Sequence, residues 1–235
     1  RGSSLLQKPS FQKLNMKGLI LIFSLFLSYG LSTEDEEKIQ ATSQLESIVL
    51  GSGCFWGEEK RYESIPGVVS AISGYADGRG VKPTYREITK PKNRFNPNNH
   101  AEVVLVVFDR NIVSVEEIIM DYFEGHDPTQ FNRQGNDIGT QYRSVILTIN
   151  DEQREIAKRL LKEFQLLMND KGYGKIQTRI KPLVEFHYAE EYHQDYLAKN
   201  PNGYCPDHST GVVFNRGEIK NKIDNSLLLK GKQIV

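Results

Sequence analysis

The chain has 235 residues, of which 38% are hydrophobic and 26% charged, enough to bury one core with terminal segments to spare and no need of disulfide staples. Its 30 Lys and Arg balance its 30 Asp and Glu, which excludes the overall positive field that gathers nucleic acid or acidic lipid.

Near the start, Met16-Lys17-Gly18 leads into the apolar run Leu19 to Leu27, followed by Ser28-Tyr29-Gly30 with small residues at the places that precede a cleavage site. This is the pattern of an export signal over residues 16–30, and the run is shorter than the roughly 20 apolar residues that a membrane span needs. A buried helix is the alternative reading. Residues 1–15 precede that methionine and are set aside as upstream sequence. With the signal removed, the chain is expected outside the cytosol, secreted or periplasmic, with no stable membrane association, and two cysteines could then be oxidised without difficulty; without it, the protein is cytoplasmic.

Residues 31–46 are polar and acid-rich, a flexible lead-in to a single domain over 47–215. Ile48-Val49-Leu50 predicts a short strand ending at Gly51-Ser52-Gly53, and Phe55 to Ile65 a helix closed by Pro66-Gly67. Val68 to Tyr75 alternates as a second strand. Asp77 to Asn99, rich in Gly, Pro, Asn and Lys, predicts a long surface loop of the kind that carries function. His100 to Phe108 has the β-branched density of a central strand. Ser114 and Glu117 make a capping box opening a helix over Val115 to Phe123. A second long loop, Gly125 to Gln141, runs into a strand from Tyr142 to Ile149. The helix from Asp151 to Met168 carries Ile156, Leu160, Phe164 and Leu167 on one face as a core stripe. A strand over Thr178 to Glu185, a helix over Tyr188 to Lys199 and a coil from Asn200 complete the chain. Few strands and long loops favour an α+β fold, a two-layer α/β sandwich on a small mixed sheet with a coil-rich C-terminal segment, over a doubly wound sheet. Residues 216–235, where Lys220, Lys222, Lys230 and Lys232 are interrupted by Glu218 and Asp224, predict a solvated extension.

Cys54 stands between glycines and aromatic residues where a strand ends and a helix begins. A lone cysteine is commonly core packing. At a helix opening, however, unsatisfied N–H groups and the dipole favour thiolate. That effect is modest: about 0.3–1 kcal/mol lowers the thiol by less than one unit, and raises thiolate at pH 7 from about 3% to at most roughly 15%. Gly51-x-Gly53-x-x-x-Gly57 also misses the dinucleotide fingerprint.

Gly53-Cys54-Phe55-Trp56-Gly57 resembles the signature of the methionine sulfoxide reductase A family. The similarity continues in order through Gly74-Tyr75-Ala76, Pro83-Thr84-Tyr85-Arg86-Glu87, His100-Ala101-Glu102, His126-Asp127-Pro128, Gln134-Gly135-Asn136-Asp137, Gly139-Thr140-Gln141-Tyr142-Arg143-Ser144 and His193-Gln194-x-Tyr196-Leu197. The resemblance implies reduction of the S epimer of methionine sulfoxide, free or in proteins, by a monomer with no cofactor and no metal. It implies Cys54 as nucleophile, Glu102 as the acid protonating the departing oxygen, and Tyr85 and Tyr142 as its helpers. Phe55 and Trp56 would take the substrate's methyl group, with Asp137 and Tyr196 lining the same pocket. Attack would leave a sulfenic acid on Cys54, which Cys205 would resolve as a disulfide reduced by a thioredoxin-like donor.

Such an acid must stay protonated near neutral pH, which predicts a buried, neutral Glu102. Three features depart from the family pattern: Asn98-Asn99 where many relatives have glycine before His-Ala-Glu, Asp77-Gly78 in place of Gly-Gly, and no cysteine after Cys205. The spacing of His187, Glu190 and His193 suggests a metal only weakly, since di-iron sites need two copies of Glu-x-x-His. His126-Asp127-Pro128 fits turn chemistry. Two other readings stay open on sequence grounds: an exported binding module stapled by Cys54–Cys205, and a peroxide-responsive thiol sensor.

Overall fold

The computed structural model describes residues 44–80, 82–204 and 206–217. The expected export signal, most of the lead-in, Cys205 and the extension after Gly217 lie outside the described residues.

Six strands form one mixed sheet in the order β7-β6-β1-β3-β2-β8: β1 (Leu45–Gly51), β2 (Val68–Ala76), β3 (Ala101–Asp109), β6 (Val145–Thr148), β7 (Arg179–Pro182) and β8 (Phe186–Tyr188). The pairs are antiparallel except β6 with β7, which run parallel. A separate hairpin joins β4 (Arg133–Gln134) to β5 (Asp137–Ile138). The helices are α1 (Phe55–Glu63), α2 (Tyr85–Ile88), α3 (Val115–Glu124), α4 (Asp151–Asp170) and α5 (Tyr196–Lys199).

Strand alternation decides where the core lies, because successive side chains point to opposite faces. Ile48 and Leu50 of β1 and Val104, Val106 and Phe108 of β3 pack in one cluster with Tyr62 of α1, Ile118, Ile119 and Tyr122 of α3, and Leu160 and Phe164 of α4. The intervening Val49 and Val103 join a smaller cluster with Ala76, Ala101, Val145 and Leu147. Glu102 has the parity of Val104 and Val106 and so sits on the face that the helices cover. At Gly74 an added Cβ would lie 2.2 Å from the Phe186 ring and 2.6 Å from the His187 carbonyl, so only glycine lets β8 pair there.

The α+β class and the mixed sheet are as expected, and the capping box of α3 is present in both its hydrogen bonds. Several boundaries differ. The first strand begins at Leu45, inside the expected lead-in, because Leu45 and Glu46 pair with Asp109 and Phe108. Tyr142 ends a 3-10 turn, Thr140–Tyr142, and pairing begins only at Val145. Arg143 and Ser144 are held elsewhere first: Arg143 by Asp77, Ser144 by Tyr122, His126 and Thr178. The long helix expected over Tyr188 to Lys199 is a strand end, a 3-10 turn at Glu191–His193 and the short α5. Asp195 adopts a left-handed conformation (φ 53°) there, and the side chains of Glu190, His193 and Gln194 bond to Tyr75, Trp56 and Ser73; these tertiary bonds override local helix propensity. Both long loops carry short structure, α2 and the β4–β5 hairpin. The His126-Asp127-Pro128 segment is a turn: the Asp127 carboxylate accepts the Thr129 N–H at 3.0 Å, and the buried His126 ring bridges Tyr122 O and Ser144 Oγ, each at 2.8 Å.

Candidate active site

Cys54 is the N-cap of α1 (φ −65°, ψ 121°) and half-buried. The turn that delivers it depends on Gly53, whose φ of +121° suits glycine and whose added Cβ would fall 2.9 Å from Gln134 Cβ. Burial pushes the Cys54 thiol well above its ordinary value, and the neighbouring Glu102 and Asp137 charges add to the rise. The Trp56 and Gly57 amides at the open helix end pull the other way. The helix end alone predicted a small net lowering; in the folded chain desolvation outweighs it.

Glu102, on β3, is 1% exposed. Its Oε2 accepts the backbone N–H of Phe55 at 3.3 Å, while Oε1 has no partner among the described residues. Burial raises its pKa to about 8, the Phe55 N–H opposes the rise, and the Asp137 charge adds to it. Glu102 is therefore a carboxylic acid at neutral pH, with one oxygen unengaged.

Two phenols and a carboxylate complete this neighbourhood. Tyr85 opens α2, its N–H donating to Glu190 Oε1 at 2.9 Å; Glu190 Oε2 accepts the Tyr75 hydroxyl at 2.6 Å. Tyr142 precedes the buried Arg143, which is anchored to Asp77 at 3.0 Å. Burial first, then the charges of Glu102 and Cys54, raise Tyr85 to about 12. Burial and the Glu102 charge raise Tyr142 further. Both therefore stay neutral O–H donors. Asp137, on β5, is raised chiefly by burial, and its Oδ2 is also without a partner. Glu102 and Asp137 both act electrostatically on Cys54, Tyr85 and Tyr142, which puts the five in one neighbourhood supplied by α1, α2, β3 and the stretch 137–142.

The aromatic pair after the cysteine divides its work. Phe55 is 1% exposed, its ring packed 5.8 Å from Tyr75 and 4.9 Å from His193, so it belongs largely to the core. Trp56 remains partly open, stacked on Tyr196 at 3.8 Å and 14°. Its indole N–H donates to His193 Nδ1 at 3.0 Å, which places the ring hydrogen of the neutral imidazole on Nε2. His193 and Glu190, which sequence reading weighed only as a weak metal pair, are the hub of this wall: His193 meets Phe55, Trp56, Tyr85 and Tyr192. The Glu-x-x-His spacing was the available signal. Its partners other than the adjacent Tyr192 lie more than 100 residues away in sequence and were not legible. Cys205 lies outside the described residues, but Tyr204 and Pro206 on either side of it line one cavity with Cys54.

Residues 46–222 match the family model described as peptide methionine sulfoxide reductase. A relative of the same description in Corynebacterium kroppenstedtii is 48% identical over 172 residues, covering 71% of this chain and 76% of that protein; one in Synechocystis is 46% identical, covering 72% and 74%. Among solved structures, methionine sulfoxide reductase A of Corynebacterium diphtheriae superposes with a TM-score of 0.64 at 43% identity, covering 72% of this chain and 82% of that one. The reduced form of Mxr1 from Saccharomyces cerevisiae superposes at 0.63 and 34% identity, covering 71% and 92%. A cysteine at a helix opening beside a sealed, protonated carboxyl is thus found on the fold and sequence of known reductases, and the chain belongs to the peptide methionine sulfoxide reductase family, oxidoreductases that act on sulfur groups.

Proposed function

We propose that Cys54 attacks the sulfur of methionine S-sulfoxide, free or in proteins, while Glu102 protonates its oxygen. The observation that carries this reading is the sealed Glu102, neutral at pH 7 with Oε1 unpaired. A sulfoxide oxygen is a poor leaving group until protonated, so an acid poised near the working pH is what the step requires. In balance, the Cys54 sulfur bonds to the substrate sulfur as Glu102 protonates the oxygen, and the hydroxyl then passes from the substrate sulfur to the Cys54 sulfur as the sulfur–sulfur bond breaks. The oxygen ends on Cys54 as a sulfenic acid, the thioether is released, and the thiol proton returns to Glu102. Tyr85 and Tyr142, neutral donors beside Glu102, orient the oxygen. Trp56, held by Tyr196 and His193, offers apolar surface to the methyl group, with Phe55 behind it and Asp137 at the edge of the pocket.

The sulfenic acid is resolved by the Cys205 thiol, giving a disulfide and water. A dithiol donor of the thioredoxin type then reduces the disulfide by exchange. The apolar run at 19–27 behind Lys17 supports action outside the cytosol. Titrating free thiols before and after adding the S-sulfoxide tests the reading: two thiols should fall to none as one methionine forms. A bond already closed and inert to thioredoxin would favour a stapled binding module, and thiol loss to peroxide but not to sulfoxide would favour a sensor.

A further inference from the structure

Cys54 has a second side. A cavity of about 240 Å³ is lined by Ser52, Cys54, Gly57, Glu58, Arg61 and Gly125, and closed across by Tyr204, Pro206, Asp207 and His208. Glu102, Tyr85, Tyr142, Phe55 and Trp56 do not border it; Cys54 alone belongs to both sides. The helix explains this. Positions 54, 57, 58 and 61 share the face of α1 that lines the cavity, with Glu58 buried like Phe55, Glu59 and Tyr62. Side chains lean toward the helix N-terminus, so Glu58 reaches back over the first turn toward the end that carries the sulfur.

We propose that this cavity is where an incoming thiol meets the oxidised Cys54, and that Glu58 is the proton-transfer group of that step. The cavity is polar in the way such a step needs. Glu58 is a buried carboxyl that no mapped feature of the sulfoxide side uses. Ser52 Oγ and Tyr62 OH stand beside it without completing a hydrogen bond of ordinary geometry, and His208 Nε2 on the facing segment is buried and unpaired among the described residues. The groups that face Glu58 are Ser52, Arg61, Tyr62 and Asp121; Asp207 and His208 face the same space. Arg61 is already bonded to Asp121 at 2.8 Å, so it does not hold Glu58 as a fixed ion pair. Burial raises the Glu58 carboxyl, against the pull of Ser52 and Arg61, which suits a group that must both take and give a proton.

The step balances without a further reagent. The Glu58 carboxylate takes the proton of the thiol as its sulfur bonds to Cys54. The sulfur–oxygen bond of the sulfenic acid breaks, and the same proton passes to the leaving oxygen to make water. The thiol sulfur is oxidised, the Cys54 sulfur is reduced, and Glu58 ends as it began.

The proposal rests on a sulfenic acid at Cys54, so the test is built to separate the two. In the full chain carrying Cys205→Ser, one equivalent of methionine S-sulfoxide is added, and methionine is measured by rapid quench. Dithiothreitol is then added, and loss of the sulfenic acid is followed by dimedone trapping and mass spectrometry. With Glu58→Gln added, methionine formation should stay within about two-fold, which also reports intact folding, while the dithiothreitol step slows at least ten-fold and loses its pH dependence below the thiol's own titration. Glu58→Asp should recover part of that rate. A dithiothreitol step unchanged by Glu58→Gln overturns the proposal, as does equal slowing of both steps. Absence of any sulfenic acid in the Cys205→Ser chain itself contradicts the parent reading instead.

Discussion

The backbone N–H of Phe55 donates to Glu102 Oε2 at 3.3 Å, so the residue after the nucleophile holds one oxygen of the acid, while the other has no partner among the described residues. One backbone bond therefore sets acid and cysteine in register. Glu102→Gln keeps a carbonyl oxygen for this bond but has no proton to transfer. Turnover should fall about 10²–10⁴-fold, the usual contribution of a general acid, with substrate binding retained; steady-state kinetics beside equilibrium binding checks both.

The same group makes the sulfoxide step depend on pH. With a pKa of about 8, Glu102 is protonated across neutrality, so the first-turnover rate should be level through pH 7 and fall about tenfold per unit well above 8. Stability follows the same proton. The unfolded chain releases it near the ordinary 4.5 and the native chain near 8, so between those values the native state binds more protons and loses stability as pH rises. Glu102→Gln should therefore be the more stable protein at pH 8, by an amount on the order of a few kcal/mol, and the gap should close toward pH 4. Urea melts at the two pH values measure it.

Trp56 meets the site through its ring and its wall through its N–H. Trp56→Phe keeps an apolar face but leaves His193 Nδ1 without its donor. The loss of about 0.5–1.5 kcal/mol, typical of one hydrogen bond, should appear as a KM raised roughly 3- to 10-fold with kcat within two-fold.

Asp77 adopts φ +57° and is held by charge: Arg143 meets its carboxylate at 3.0 Å and Lys181 at 2.7 Å. Asp77→Asn tolerates the left-handed backbone but leaves the buried Arg143 charge with only the Thr140 and Asp77 carbonyls and no counter-ion, and should cost about 3 kcal/mol. Lys181→Met, at the exposed end of the triad, should cost less than about 1 kcal/mol. Denaturant midpoints distinguish the two.

The elements with strong local signals were legible in the sequence: the β-branched run of β3, the Ser114–Glu117 capping box, and the stripe of α4, of which Leu160 and Phe164 are buried with Ala157 and Met168 while Ile156 and Leu167 are only partly so. Cys54 at a helix opening was legible for the same reason. The segment 188–199 was not, because its shape is set by bonds from Glu190, His193 and Gln194 to strands and aromatics far away in the chain. Nor was the balance at the thiol: a helix end can be read from local sequence, but the burial that outweighs it arises only when the chain folds around Cys54. Glu58 drew no reading from the sequence; its burial and its place beside Cys54 on one cavity appear only in the folded chain.

The central claim is chemistry at one sulfur with a proton from one carboxyl. The most direct measurement is a stoichiometric burst in the Cys205→Ser chain with excess methionine S-sulfoxide and no reductant. The account predicts one methionine per chain with a single dimedone adduct, on Cys54, and the loss of both when Cys54→Ser is added. Methionine formed without Cys54, or an adduct found elsewhere, would contradict it.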